Sequence, residues 1–570
     1  MDALRRYWLP SVDVFRNYRK EWLRNDVVAG VVLTALLIPA GIGYAEVSGL
    51  PPITGLYATI VPLVVYALVG PSRILVLGPD SSLAPIIGAS ILPLAAGDPD
   101  RAIALAGMLS ILMGAFLVIG GILHLGFVTD LLSKPIRTGY LNGIALVVVI
   151  GQIPKLLGFS VDADGVIGDA VATVRGIGDG EIDGTAAALG LVSLAGIMTL
   201  KKMRSRVPGV LVAVIASGVV VAVLGLRDDV SVVGSLPQGL PAPALGGLTF
   251  DDVVSLIGPA LGIALIAFAD TGVLSRVFAA RHGEAVSGSQ EMRAIGLANI
   301  ASGALGGFAV SASSSRTPVA EQAGSRSQLT GVAGALMLLG FVLLAPDLTS
   351  YLPSATLAAV VITAASSLVD VGTVVRLAKA HPIEAVLSVA AFLGVALIGV
   401  LEGIVVAIGL SFLAFVHQSW RPYRAELGRI PQVRGYHDLS RNPEGERLDG
   451  IAIVRFDAPL FFANGGMFDD YVRSVVSSRG DVRHLILAAE PITDIDATAI
   501  DELIELDDYL AAAGVDFVIA EMKGPVHDRL VQYGLGDRFG PERFAPTVGA
   551  AVDAILGHER DDIGNPSDRT

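Results

Sequence analysis

Two polar stretches interrupt the apolar part of the sequence, and their side chains are of the kind that bind anions. In SASSSRTPVAEQAG (311–324), serine and threonine hydroxyls surround the guanidinium of Arg316. The stretch RILVLGPDSSLAPIIGAS (73–90) has the same layout, with a short extended apolar piece, then serines, then a helix of small residues with an early proline. Two interrupted segments in corresponding halves of a membrane protein are typical of a central binding site. The alternative interpretation is two flexible loops.

The helices that follow these stretches are expected to point their first turns at a common pocket. A helix that begins inside a membrane presents unpaired N–H groups and the positive end of its dipole, and both attract anions. Pro318 suits a position just inside a helix start, so the second helix is predicted to begin at about 315–317. An arginine in hydrocarbon is costly unless it is paired or hydrated, so Arg316 is interpreted as a site residue, with snorkelling or a structural ion pair as alternatives. The candidate substrate-binding residues are Ser81, Ser82, Ser314, Ser315 and Arg316.

One acidic residue is placed where it could couple anion binding to protons. Asp270 lies in LGIALIAFADTGVLSRV (261–277), where nine apolar or glycine residues precede it. A carboxylate in such surroundings must be paired, protonated or metal-bound. Arg316 is its predicted partner, and a pair that breaks when substrate enters is suited to proton coupling. The alternatives are a sodium site at Asp270 and a purely structural bridge.

Three further polar residues have other predicted roles. Asp80, in GPDSS, is expected to cap the first interrupted helix or to be protonated, because an ionised carboxylate facing the pocket would repel an anion. Gln290 and Glu291, in SGSQEM, are expected at a cytoplasmic helix boundary.

Composition indicates a polytopic membrane protein. The 570 residues are 53% hydrophobic and 16% charged, and the mean hydropathy is +0.66. Apolar runs of roughly 18 residues or more are typical of membrane-spanning helices. The sequence has no cysteine, which excludes disulfides and thiolate metal sites. It contains no phosphate loop, zinc-ligand spacing or nucleophilic triad, so neither an enzyme nor a cofactor is predicted, and the missing ATP motif favours secondary transport. No basic face for nucleic acid is apparent.

Fourteen apolar segments precede residue 418, which places both ends of the membrane region on one side. The basic loop KKMRSR (201–206) is predicted to be cytoplasmic, and so are RKEWLR (19–24) and WRPYR (420–424). The predicted spans are 27–44, 54–70, 82–96, 102–122, 137–157, 185–200, 208–225, 252–274, 293–308, 316–324, 329–345, 353–369, 382–399 and 401–417.

Beyond residue 420 the composition becomes that of a small soluble α/β domain. Strands are predicted at 450–456, 482–490 and 515–522, with helices between and after them. The predicted domains are a cytoplasmic N-terminal arm (1–26), a transmembrane domain (27–418), a linker (419–446), the α/β domain (447–558) and a disordered tail (559–570).

Several motifs together resemble the sulfate permease (SulP) family. GYAEVSGLPPITGLYATIVPLVVYALVGPSR (43–73) resembles the signature of that family, and RVFAARHGEAVSGSQEMRAIGLANIASGALGGF (276–308) and SSRTPV (314–319) are also similar. PLFFANGGMF (459–468) resembles the start of the family's STAS module. The resemblance covers residues 12–558.

The resemblance implies a uracil-permease-like fold of two inverted seven-span repeats. A core domain (spans 1–4 and 8–11) would move against a gate domain (spans 5–7 and 12–14) in an elevator-like motion, within a homodimer. The anion would bind between the starts of spans 3 and 10. The span-8 acidic residue of the family corresponds to Asp270 and the span-10 arginine to Arg316, and the two are linked in proton-coupled members. Thr498, in DIDATA (494–499), corresponds to a phosphorylatable position, although Asp496 and Thr498 also suit a plain helix start.

Three positions depart from the pattern of many members. Ala40 replaces the glutamine that follows the span-1 proline, so span 1 offers no amide to the substrate. Leu274 replaces the threonine that sodium-coupled bicarbonate members carry after the span-8 aspartate, which disfavours sodium. Asp80 is acidic where many members have a small neutral residue.

The leading hypothesis is therefore proton-coupled uptake of a small inorganic oxyanion, with sulfate first, in a bacterial plasma membrane. The expected partners are the anion, protons, the lipid bilayer and a second copy of the chain. Uptake of bicarbonate or a dicarboxylate, or anion exchange, is the second transport hypothesis. A hypothesis of another class is a membrane sensor or scaffold that acts through the STAS domain.

Overall fold

The chain folds into two compact units, Met1–Phe412 and Leu413–Thr570. The structure, a computed structural model, describes residues 18–126, 133–161, 163, 165–203, 208–284, 286–313 and 316–557. Four sequence predictions therefore fall wholly or partly outside the described residues. They concern most of the N-terminal arm, positions 204–206 of the basic loop, the tail at 559–570, and the serines Ser314 and Ser315.

The first unit is helical, and a helix occupies each of the fourteen predicted apolar segments. Its helices are α1 Leu23–Val47, α2 Pro52–Val69, α3 Ala84–Ala95, α4 Pro99–Ile122, α5 Lys134–Leu157, α6 Gly165–Asp179, α7 Gly184–Lys202, α8 Gly209–Leu224, α9 Phe250–Arg281, α10 Gly288–Ala304, α11 Arg316–Gln322, α12 Leu329–Leu344, α13 Ser354–Ser366, α14 Val371–Ala380, α15 Pro382–Leu393 and α16 Val400–Trp420. Within the described residues, seven helices are long and apolar enough to cross a membrane. Helices α6 and α14 were not among the predicted segments, because they are amphipathic or partly polar pieces within loops.

The two interrupted segments meet in a short antiparallel ladder. Strand β1 (Leu77–Gly78) pairs with β2 (Ser311–Ala312), so the extended pieces of the two halves lie side by side. The backbone on either side is held by side chains: the Val76 N–H donates to Thr317 Oγ1 at 3.1 Å, and the Ala312 N–H donates to Thr271 Oγ1 at 3.2 Å. Buried backbone donors need such partners. The ladder and these bonds fix where the helices after each strand begin.

Glycines let helices α4 and α10 pack so closely that their backbones are in contact. A Cβ atom added at Gly107 would lie 2.7 Å from the carbonyl oxygen of Gly303, and one at Gly114 would lie 2.5 Å from that of Gly296. Real Cβ atoms do not approach an oxygen so closely, so both sites require glycine. Small residues at helix crossings are typical of membrane bundles, where close packing substitutes for the hydrophobic effect.

Gly139→Ala is expected to destabilise the protein because α5 crosses α15 without room for a methyl group. A Cβ at Gly139 would overlap the backbone of Ser388 and lie 2.6 Å from its carbonyl carbon. Overpacking against immovable backbone costs roughly 1–3 kcal/mol or more. Gly151→Ala on the same helix is the matched control, because nothing lies within 4 Å of its added methyl group. Thermal unfolding in detergent should show a lower midpoint for Gly139→Ala only, and equal midpoints would contradict the prediction.

A buried carboxylate joins the start of α1 to the start of α12. Asp26 is 0% exposed and accepts five hydrogen bonds. The donors are the N–H groups of Arg326 (2.7 Å) and Ser327 (3.1 Å), the hydroxyls of Ser327 (2.7 Å) and Thr330 (3.1 Å), and the Tyr18 hydroxyl (3.1 Å). Asp26, near the start of α1, is thereby the hydrogen-bond acceptor for backbone and hydroxyl donors around the start of α12, which is distant in the sequence. The turn that it holds directly follows α11.

The second unit is a six-stranded sheet covered by helices. The strands are β3 Arg424–Arg429, β4 Tyr436–Asp438, β5 Ile451–Phe456, β6 His484–Ala488, β7 Asp516–Ala520 and β8 Phe544–Ala545, in the order β4-β3-β5-β6-β7-β8. The helices are α17 Gly465–Ser478, α18 Ala497–Ala512, α19 Gly524–Gln532 and α20 Val548–Leu556. Neighbouring strands from β5 to β8 are parallel, as the alternating pattern predicts.

Part of the predicted linker belongs to this sheet. Strand β3 pairs antiparallel with β5, and β4 pairs with β3. The sequence RAELGR reads as polar, but Ala425 and Leu427 are buried against the sheet while charged neighbours face outward. Alternating burial over six residues is a weak signal when three of the six are charged, so the pattern alone does not indicate this strand.

Candidate functional site

Arg316 is the first described residue of α11, directly after the two serines that lie outside the described residues. The side chain is buried, with 4% of the residue exposed. Its Nη2 group donates to the backbone carbonyl of Pro79, just after β1, and lies 3.8 Å from Asp80 Oδ2. Arg316 therefore connects the second interrupted segment to the first. The two segments form one site.

The other face of this guanidinium is unused. Arg316 Nη1 is buried and has no hydrogen-bond partner among the residues that the structure describes. A Cβ atom at Gly78 would lie 2.9 Å from Nη1, so glycine at that position leaves the room that the guanidinium occupies. Ser311, whose Cα is opposite Gly78 across the ladder, also has a buried hydroxyl without a partner. Buried polar groups are normally satisfied, so unpaired donors at one place indicate a site for an acceptor ligand.

Asp80 and the two serines that follow it form the turn before α3. Asp80 Oδ1 accepts from the Ser82 N–H (3.0 Å) and the Ser82 hydroxyl (2.8 Å). Asp80 is therefore engaged within its own turn. The predicted capping role is wrong, because the N-cap residue of α3 is Leu83 and no side chain caps that helix. Ser81 and Ser82 are both buried, at 7% and 1% exposure. The Ser81 hydroxyl bonds the buried Tyr44 of α1, which also lies within electrostatic reach of Arg316.

Asp270 pairs with a residue that the sequence analysis did not select. Its Oδ1 atom lies 3.6 Å from Nη1 of Arg137, in the first turn of α5, and about a quarter of each side chain is accessible. The expected pairing of Asp270 with Arg316 is therefore wrong as a direct contact in this structure, because Arg316 faces Pro79 and Asp80. Asp80 remains close enough to Asp270 for their charges to repel, so the two ion pairs are neighbours.

Two missed residues, Arg137 and Tyr140, both lie on α5 next to Asp270. Tyr140 is 2% exposed. Its buried hydroxyl has no partner among the described residues, although it lies within electrostatic range of Asp270. Arg137 stands at the first residue of a predicted span, where an arginine suggests an interface anchor. The sequence contains one indication that they belong together: Tyr140 follows Arg137 by three positions, which places both side chains on the same face of a helix.

Glu291 lies in the first turn of α10, which confirms its predicted position at a helix boundary. It is also 0% exposed, and it accepts hydrogen bonds from the Tyr66 hydroxyl (2.6 Å) and the Ser275 hydroxyl (2.8 Å). These donors come from α2 and α9, so the carboxylate ties three helices together. The local sequence SGSQEM is polar, and only the packing of α2 and α9 over it makes the position internal.

In the second unit, Asp496 is the N-cap of α18. It accepts from the Ala499 N–H at 2.9 Å, and its other carboxylate oxygen accepts from the Phe462 N–H at 2.8 Å. The interpretation of DIDATA as a helix start is confirmed. Thr498 lies exposed in the first turn of α18, so its hydroxyl is accessible to a modifying enzyme.

The first unit thus combines features suited to reversible anion binding. A buried guanidinium with a free donor, unpaired hydroxyls and two short segments that meet at a ladder offer hydrogen bonds to an acceptor. A carboxylate with its own cationic partner stands beside them. Ser314 and Ser315, predicted to line the pocket, lie outside the described residues.

Comparison with known proteins agrees with this arrangement. Residues 23–391 match the Sulfate permease family, and residues 442–551 match the STAS domain. The chain is 37% identical over 550 residues to a Mycobacterium tuberculosis protein named "Probable sulfate transporter", covering 96% of this chain and 98% of the relative. It is 28% identical over 565 residues to the Arabidopsis thaliana protein "Sulfate transporter 4.1, chloroplastic", covering 96% of this chain and 82% of that one.

Two solved structures have a similar fold. Murine Solute Carrier 26 family member A9, an anion transporter, superposes with a TM-score of 0.90 at 20% identity, over 98% of this chain and 95% of that chain. The transmembrane domain of the cyanobacterial bicarbonate transporter BicA gives a TM-score of 0.60 at 24% identity, over 69% of this chain and 99% of that chain. The polytopic helical fold with a C-terminal α/β domain, predicted from the sequence, is thereby confirmed.

Proposed function

This chain belongs to the sulfate permease family, and we propose from that premise that it carries a small inorganic oxyanion across the membrane by secondary active transport. The observation that carries the proposal is the buried Arg316 where β1 and β2 meet, because its Nη1 group has no partner within the described part of the chain. An oxyanion would accept from that group and from nearby hydroxyls, which removes the cost of leaving them unpaired. Sulfate is the substrate that we favour, because relatives of high coverage carry that name.

We propose proton coupling through Asp270. The carboxylate is about a quarter accessible, and its cationic partner lies 3.6 Å away, beyond ordinary hydrogen-bond distance. A proton that neutralises Asp270 would release Arg137 and remove a negative charge from the neighbourhood of an incoming anion. Both changes favour anion entry, so proton and anion would bind together.

The transport motion that we propose is elevator-like alternating access in a homodimer. Helices α1–α4 and α9–α12 would form the moving core, and α5, α7, α8, α13, α15 and α16 the gate. The ladder between β1 and β2 and the Arg316 contact with Pro79 lie wholly within the core group. The bound anion would therefore travel with the core. We place the protein in a bacterial plasma membrane with both ends cytoplasmic.

Asp270→Asn is expected to abolish accumulation driven by a proton gradient while leaving sulfate-for-sulfate exchange in place. The neutral amide cannot bind and release a proton, but it keeps the size of the side chain. Proteoliposomes containing the full chain would be given labelled sulfate, bicarbonate or succinate, with and without an inward proton gradient. Asp98→Asn, at the exposed start of α4, is the control for loss of a carboxylate elsewhere.

The outcome decides between the transport hypotheses. If the gradient leaves uptake by the unmodified protein unchanged, coupling through Asp270 is wrong. Preferential uptake of bicarbonate or succinate would favour the second candidate, for which Ala40 is the motivating observation, because it leaves α1 without a side-chain amide near the site. If no anion is transported, the sensor or scaffold hypothesis gains support, and deleting 447–570 would then remove the function altogether.

We also propose that Thr498 is a regulatory position. A phosphate there would stand in the first turn of α18, where the helix dipole favours negative charge. Asp494 and Asp496 nearby would oppose it. Sulfate uptake by Thr498→Glu and Thr498→Val would separate an effect of charge from loss of the hydroxyl.

A further inference from the structure

The pair formed by Arg137 and Asp270 leaves most of the guanidinium donors unused. The Nη1–Oδ1 separation of 3.6 Å is outside hydrogen-bond distance. Among the described residues, the only side-chain interaction recorded for Arg137 is this ion pair. A guanidinium offers five N–H donors in a planar fork and is not deprotonated in proteins. About a quarter of the Arg137 side chain is accessible, so an anion can reach it.

We propose that Arg137, together with Tyr140, is a second anion-binding element of the transport site, contributed by α5. The proposal rests on the proposed function, since it assumes that the anion bound at Arg316 is the substrate. It adds a cation and a hydroxyl from outside the core helices that carry Arg316. The ligand class is a tetrahedral or planar oxyanion with enough oxygens to accept from both sides.

Tyr140 gives the independent support for this assignment. The residue is 2% exposed, and its buried hydroxyl has no hydrogen-bond partner in the ranges that the structure describes. A buried hydroxyl without a partner costs free energy, and natural structures rarely keep one unless a ligand or water satisfies it. Tyr140 follows Arg137 by three positions, so the two side chains lie on the same face of α5. That face is turned toward Asp270, which is the neighbour common to both residues.

The surrounding charges place the two cations at one site. Arg316 Nη2 lies 3.8 Å from Asp80 Oδ2, Asp80 is close enough to repel Asp270, and Asp270 pairs with Arg137. The two carboxylates therefore lie between the two cations, each carboxylate beside one guanidinium. An oxyanion that displaces the carboxylates would find guanidinium groups on either side. Two guanidinium groups that bind one oxyanion donate charge-assisted hydrogen bonds to it, and these are stronger than hydrogen bonds between neutral groups.

This placement has a consequence for transport. Arg137 is on α5, which belongs to the proposed gate, whereas Arg316 and Asp270 belong to the proposed core. An anion held by both would draw α5 toward α9 and close the site around itself. When Asp270 is ionised and no anion is present, the carboxylate takes the place of the anion at Arg137. Substrate and Asp270 thus compete for the same guanidinium.

The test measures sulfate affinity of the full-length protein in detergent by isothermal titration calorimetry. Arg137→Gln is expected to weaken binding about tenfold or more, because hydrogen bonds to charged groups are the costlier ones to lose. Tyr140→Phe is expected to weaken binding severalfold without lowering the thermal unfolding midpoint, since it removes a hydroxyl that has no protein partner. Lys134→Gln, an exposed lysine one turn earlier on the same helix, controls for loss of positive charge and should bind as the unmodified chain does.

Competition with Asp270 supplies a second readout. Asp270→Asn should strengthen sulfate binding, because the guanidinium of Arg137 is then no longer paired with a carboxylate. This gain in affinity should vanish in the double variant Arg137→Gln/Asp270→Asn, because the double variant lacks that guanidinium. A merely structural role for Arg137 would leave the gain intact. If Arg137→Gln and Tyr140→Phe both bind within twofold of the unmodified protein while Arg316→Ala does not, Arg137 is not a ligand and the proposed function survives. If the unmodified protein binds no sulfate, bicarbonate or succinate, the proposed function and this inference fail together.

Discussion

Arg316→Ala is expected to lower the affinity for the transported anion by about 100-fold or more. The substitution removes the one buried cation at the junction of the two interrupted segments, together with its donation to Pro79. Charge-assisted hydrogen bonds contribute about 1.5–3 kcal/mol each, and two of them correspond to a change of this size in the dissociation constant. Calorimetric titration with sulfate, and saturation of uptake in proteoliposomes, would both report it.

Two further variants test whether the loss of affinity is specific to the guanidinium of Arg316. Arg316→Lys keeps the positive charge but loses the planar fork, so intermediate affinity is expected. Arg281→Ala removes an arginine whose side chain is 58% exposed and pairs with Glu321 of α11, and it should leave affinity unchanged. Intact folding of each variant would be verified by its elution as a single species and by its thermal unfolding midpoint. Unchanged affinity in a folded Arg316→Ala protein would contradict the assignment of the site.

Asp26→Ala is expected to destabilise the first unit by about 3–5 kcal/mol, the cost typical of removing one partner from a buried charged network. The five donors that Asp26 satisfies would remain buried, including the N–H groups of Arg326 and Ser327 at the start of α12. The turn at 325–328 follows α11 directly, so loosening it would also disturb the position of Arg316. Thermal unfolding in detergent would show a large loss, accompanied by weaker anion binding.

Asp98→Ala is the matched control for this prediction. Asp98 is the N-cap of α4 and, like Asp26, accepts from backbone N–H groups, here those of Asp100 and Arg101, but it is exposed. Water replaces the lost acceptor there, so its removal should cost only about 1 kcal/mol. A similar loss of stability in the two variants would mean that burial of Asp26 contributes little. An Asp26→Asn protein should fall between them, since the amide retains one acceptor oxygen.

Local patterns explain the parts of the site that the sequence predicts. The two interrupted segments are visible because serines and an early proline break an otherwise apolar run. The cap at Asp496 follows from its position before an amphipathic helix. In each case the signal lies within a few residues of the feature. The same holds for strands β5, β6 and β7, each a compact apolar run bounded by turns.

Contacts between distant segments explain what the sequence does not predict. The partner of Asp270 depends on how α5 packs against α9, and hydropathy places Arg137 only at the edge of a span. Glu291 sits in a polar stretch, and nothing local indicates that Tyr66 and Ser275 enclose it. Asp26 reads as the last residue of a cytoplasmic arm, although it anchors a turn 300 positions further along the chain. Charged residues near predicted helix ends are therefore where sequence interpretation fails in this fold.

The two strands of the β1–β2 ladder are far apart in the sequence, and this determines when the anion site can form during protein synthesis. Arg316 and the carbonyl of Pro79 that it contacts are separated by 237 positions, and synthesis proceeds at roughly 5–20 residues per second. For more than ten seconds the first half of the site, with Asp80 and the paired serines, exists in the membrane without its counterpart. A chain interrupted between α3 and residue 311 would hold the α3 start without Arg316. The anion site therefore cannot be completed until the second interrupted segment has been made, and a shorter nascent chain cannot bind its cargo at Arg316.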